Sequence, residues 1–102
     1  MCSITDAEHH HKLAALWRAE DPAKARQHFL EAASIFVLQA ELSRNDQLLK
    51  QANQCYAESQ LIIGKKSSTY SKQELAQRTI QELEEFAPHH HHDLLSEIKR
   101  VM

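Results

Sequence analysis

Pro22–Gly64 reads PAKARQHFLEAASIFVLQAELSRNDQLLKQANQCYAESQLIIG, and the reading of this stretch decides the fold. Ala25, Phe29, Ala32, Phe36 and Ala40 recur in steps of three and four. That spacing places them on one helical face. A second stripe, Ile35, Leu38 and Leu42, runs beside the first. A helix with two apolar stripes is contacted from two sides, as the middle helix of a bundle is. Ser43-Arg44-Asn45-Asp46 then interrupts the pattern with residues that favour caps over helix interiors. The expectation is a break there, although one unbroken rod from Pro22 to Ile63 is the alternative. A further helix follows, from about Asp46 to Ile63, with Leu48, Leu49, Ala52, Cys55, Tyr56, Ser59, Ile62 and Ile63 in its pattern. Gly64 stands where a C-terminal glycine cap belongs.

Outside this stretch the chain continues in the same manner. Thr5-Asp6-Ala7-Glu8 fits a capping box opening a first helix to about Glu20, with His10, Leu13, Leu16 and Trp17 inward. Trp17 is expected to be mostly buried. Asp21 and Pro22 then supply the N-cap and first position of the second helix. Residues 65–71 form a linker. Ser71-Lys72-Gln73-Glu74 is a second capping box, opening a helix with Leu75, Thr79, Leu83 and Phe86 on one face and Ile80 beside them. Pro88 ends it. A fifth helix follows, with Leu94, Leu95, Ile98, Val101 and Met102 apolar. The fold class is therefore all-α: an antiparallel three-helix bundle over residues 1–64, then a helical hairpin over 72–102. That hairpin packs on the bundle or on a second copy of the chain, which leaves a homodimer open.

Composition agrees with helices. The chain of 102 residues has one glycine and two prolines, too few for the turns of a sheet protein. It is 42% hydrophobic and 6% aromatic, so the core is mostly aliphatic. Twelve basic and fourteen acidic residues leave a net charge of −2, which gives no footprint for nucleic acid. No apolar run reaches the roughly 20 residues of a membrane span. The polar N-terminus and two widely spaced cysteines point to a cytoplasmic, reducing setting.

The pattern Ala25-x-x-x-Phe29-x-x-Ala32, with Phe36 and Ala40, resembles the tetratricopeptide repeat and its relative, the microtubule-interacting-and-trafficking (MIT) domain. The long second helix and the third helix after it are more similar to MIT. Tyr56 with Glu58 resembles the tyrosine and acidic residue of the third MIT helix, while Ser59, Gln60 and Leu61 depart from the Arg-Ala-Glu run common there. The resemblance covers residues 5–63. It implies a non-enzymatic protein–protein interaction module that takes a short amphipathic segment of a protein or peptide partner into an interhelical groove. Leu38, Leu42, Tyr56, Glu58 and Leu61 are the candidate groove. The same stripe is plain core if the last two helices cover it.

Readings as an enzyme find less support. Arg26 and His28 stand two apart on one helix and point in different directions. No glycine-rich turn exposes a serine or cysteine nucleophile, and no motif asks for a cofactor. Glu82, Glu84 and Glu85 read as a solvated helix face. His9–His11 and His89–His92 invite a His-rich metal-binding reading. However, His9 to His11 splay around a helix, and only His89 and His92, with Asp93, share one face. No metal ligand is assigned on this pattern.

Overall fold

Helix α2 (Pro22–Ser43) packs against all four other helices: α1 (Ile4–Trp17), α3 (Asp46–Ile62), α4 (Lys72–Phe86) and α5 (His92–Val101). The computed structural model describes residues 4–86 and 92–101, and no strand occurs among them. All ten residues from Phe29 to Leu38 are buried, including Glu31 and Ser34. The sequence shows two apolar stripes on α2; in the structure its middle is enclosed on every side. A helix apolar all round is one that sits in the centre.

The breaks have local causes. Asp21 accepts a bond from the Lys24 amide at 3.2 Å, and Pro22 opens α2. At the other end Arg44 takes a left-handed conformation, φ 51°, and the Asn45 amide bonds back to Ala40. The Asn45 side chain then caps α3 through the Gln47 amide at 2.9 Å. Pro22 to Ile63 is therefore two helices. With only two residues between them, α2 and α3 must lie antiparallel to pack as extensively as they do. Gly64, at φ 74°, ends α3 in a Schellman arrangement, with Lys65 N bonded to Gln60 O and Gly64 N to Leu61 O.

These two turns give opposite expectations. Arg44→Gly should raise stability by about 0.5 kcal/mol, since a side chain disfavours the left-handed region. Gly64→Ala should lower it by about 1 kcal/mol. A Cβ at Gly64 meets nothing within 4 Å, so the cost lies in the backbone alone. Urea midpoints of the two variants decide both.

Three details of the first helix differ from the sequence expectation. α1 already includes Ile4, so Thr5 lies inside the helix and is not its cap. It ends at Trp17, because residues 18–20 are used in the turn that brings Asp21 N to Trp17 O, 2.8 Å. Its fully buried positions are Ala7 and Ala14, while Leu16 is 73% exposed. Two alanines let α1 approach α2 closely, and that phase turns Leu16 outward. Trp17 is half-buried, with Lys24 Nζ 4.1 Å from its ring.

The C-terminal helices follow the sequence pattern closely. Ser71 and Glu74 bond reciprocally at 3.4 Å at the start of α4. Leu75, Thr79 and Leu83 are fully buried, and Ile80 packs beside them. Leu94, Leu95 and Ile98 of α5 are buried in the same core. Both apolar stripes are thus covered by α2 of the same chain.

Candidate functional site

Antiparallel packing of α1 on α2 brings the N-terminal histidines over the start of α2. His28 and Glu31 lie one helical turn apart on α2 and face the same way. His10 reaches them from α1. Its Nδ1 lies 2.9 Å from Glu31 Oε2 and 3.1 Å from His28 Nδ1. His28 Nδ1 is 3.8 Å from the same carboxylate oxygen. The two imidazoles stack at 5.3 Å between centroids, inclined by 27°. Gln27 donates to the other carboxylate oxygen at 3.0 Å. Burial holds the His28 pKa below its ordinary 6.5 against the pull of Glu31, so the ring stays neutral around pH 7.

A carboxylate on a buried stretch is costly unless it is partnered, and Glu31 is nearly inaccessible. The sequence carries a signal for this cluster: a lone acid amid Phe29, Leu30, Ala32 and Ala33. The partner of His28 is not Arg26, its neighbour in sequence, but His10 on another helix.

Beside this cluster, His11 turns toward α3. Its Nε2 is 3.5 Å from Glu58 Oε2, and its ring lies 5.8 Å from that of Phe29. Both α1 and α3 pack on α2 yet hardly touch each other. The furrow between them is lined by Glu8, His11, Phe36, Gln51, Gln54 and Cys55. Phe36 and Cys55 form its floor and are almost wholly buried. Burial pushes the Cys55 thiol up to about 12, with Glu58 adding to the effect. In a Cys2→Ser variant at pH 8, Cys55 should react with a disulfide reagent only on unfolding, and fast labelling in buffer would contradict its burial.

On the other flank of α3 a second polar centre joins three helices. Glu82 accepts from Arg26 Nη2 and from Gln60 Nε2, both at 2.7 Å. Tyr56 is buried against it. Burial, and then the bond to Glu82, raise its hydroxyl pKa to about 12, while Arg78 opposes the rise. Tyr70 meets the Tyr56 ring edge-on at 5.8 Å and lies under Arg78. Asn53 pins Tyr70 by two backbone bonds, 2.9 and 3.0 Å, so part of the linker is tied to α3. Glu82 is thus not the solvated acid that its run with Glu84 and Glu85 implies.

The five residues of the expected groove do not form one face. Leu38 and Tyr56 are in the core, 1% and 3% exposed. Leu42 and Leu61 are 54% and 52% exposed. Leu42 sits where α2 meets α3 and Leu61 at the far end of α3, about 22 Å away at 1.5 Å per residue. Tyr56 faces α4 and Glu58 faces α1, because two steps along a helix turn a side chain to nearly the opposite flank. Tyr56 is covered by α4, whose Glu82 its hydroxyl meets, and Leu38 lies in the core that α2 shares with α3, α4 and α5. The ring positions of the His89–His92 run lie outside the described residues.

No model of a known protein family, no curated protein and no solved structure matches this chain. Among the described residues no helix is long and apolar enough to cross a membrane.

Proposed function

We propose that this chain is a non-enzymatic protein–protein interaction module and that the furrow between α1 and α3 receives a short amphipathic segment of a partner. One observation carries this reading. Two helices are held side by side by a third without closing on each other, and the gap has an apolar floor with a polar rim. The resemblance of residues 5–63 to MIT domains leads to the same mode of action. The rim selects the occupant by charge. Glu8 lines the furrow and Glu58 adjoins it through His11, 3.5 Å away, so the fitting segment has an apolar side chain next to Lys or Arg. Of the five groove residues expected from the sequence, Glu58 adjoins this furrow through its contact with His11, and Leu38 and Tyr56 lie in the core.

The test is selection of random peptides displayed against the full chain. Enriched peptides should carry an apolar anchor beside a basic residue. Their amide-shift footprint should fall on Glu8, His11, Gln51 and Gln54, and the pair Glu8→Arg, Glu58→Arg should weaken binding at least about tenfold. Peptides that bind the double variant as well as the wild type, or a footprint on α4, would sink this proposal.

A further inference from the structure

The geometry points to His10, His28 and Glu31 as a binding site for one divalent transition-metal ion of the zinc class, tying α1 to α2. Their three ligand atoms lie within 4.8 Å of one another. The separations are 2.9, 3.1 and 3.8 Å. A tetrahedron with metal–ligand bonds of about 2.1 Å has edges of about 3.4 Å. The triangle therefore has the size of one face of such a site. Two imidazoles and one carboxylate form a ligand set suited to zinc and its neighbours in the first transition row.

Proton counting favours an ion over a purely hydrogen-bonded cluster. A neutral imidazole has one N–H. If His10 Nδ1–H donates to Glu31, His28 Nδ1 has only that same proton to share. If His28 Nδ1–H donates to His10 instead, the His10 lone pair faces the carboxylate oxygen at 2.9 Å. With an Nδ1–H on only one of the two rings, a single proton is shared among His10 Nδ1, His28 Nδ1 and Glu31 Oε2, whereas a cation meets all three at once. It also offsets the negative charge of Glu31, whose side chain is 6% exposed. Gln27 holds the second carboxylate oxygen at 3.0 Å, the kind of outer partner that orients a metal-binding carboxylate. The rings are inclined by only 27°. Binding therefore turns at least one of them about its Cβ–Cγ bond, a soft torsion, to bring both lone pairs onto one point.

The site does not depend on the peptide furrow. It joins residues eighteen apart or more across the first interhelical turn, so an ion there would clamp α1 down.

The experiment uses the full chain with His89, His90, His91 and His92 all replaced by Ala, which removes the competing run. After chelator treatment it is titrated with zinc alone by calorimetry and with cobalt(II) by visible absorption. One ion per chain, a higher thermal midpoint with zinc, and cobalt bands of four-coordinate intensity are expected. Gln27→Ala should weaken binding about tenfold. His10→Ala, His28→Ala and Glu31→Gln should each weaken it beyond the about 10–100-fold cost of losing an outer partner. Circular dichroism checks folding, and because the three ligands lie on two helices, any variant that stays helical decides the matter. Binding that survives in such a variant, or that is absent from the folded parent, would overturn the assignment.

Discussion

Leu38→Asp should unfold this protein at room temperature, and Leu42→Asp, one helical turn further on, should not. Leu38 is 1% exposed in the middle of the core, whereas Leu42 is 54% exposed near the end of α2. Truncating a buried leucine alone costs about 2–5 kcal/mol. Burying an unpartnered carboxylate in its place adds several more. A domain of this size has about 5–15 kcal/mol in total, so little or none would remain. At Leu42 the side chain already meets water. The new charge sits in the last turn of α2 and opposes the helix dipole, which costs about 1 kcal/mol or less. Far-UV circular dichroism with urea titration separates the two. Similar losses at both positions would mean that Leu38 is not in the core and that the two leucines share one face after all.

The second large effect is expected at Glu82. Replacing it with Ala removes a partner of Arg26 and of Gln60 at once. The Arg26 and Glu82 side chains are 17% and 16% exposed, so the guanidinium left behind is largely out of water. Loss of one member of such a pair costs about 3–5 kcal/mol when fully buried, and about 2–4 kcal/mol is expected here. Glu84→Ala serves as the control. Glu84 bonds Lys99 at 2.6 Å, but both are solvated, 44% and 57% exposed, so the loss should stay below about 1 kcal/mol. The pair Arg26→Met, Glu82→Leu should recover much of the stability, because apolar replacements leave no buried charge. Equal small losses at Glu82 and Glu84 would show that the contact across α2, α3 and α4 contributes nothing.

Both variants probe places where neighbours in sequence have different fates. Glu82 and Glu84 are two apart on one helix. Leu38 and Leu42 share a stripe, and Tyr56 and Glu58 share a motif. Periodicity states which residues lie together on a helix, and it did so correctly for Leu75, Thr79 and Leu83. It does not state how long the partner helix is or where it crosses. That information decided that the other helices close over Leu38 and Tyr56 while Leu42 and Leu61 stay in water. The first helix shows the same limit. Its leucines look like the better core residues, but close approach to α2 favoured the alanines and put Leu16 outside.

What the chain itself determined is the division into helices: Asp21-Pro22, Arg44-Asn45, Gly64 and Ser71-x-x-Glu74 act through bonds to residues two to five positions away. Such contacts need no knowledge of the rest of the fold. The tertiary structure alone decided which polar groups meet. His10 and His28 are eighteen residues apart, Arg26 and Glu82 fifty-six, and no local rule brings either pair within 3.1 Å. Those encounters follow from how the helices stack on α2, and they carry the candidate sites.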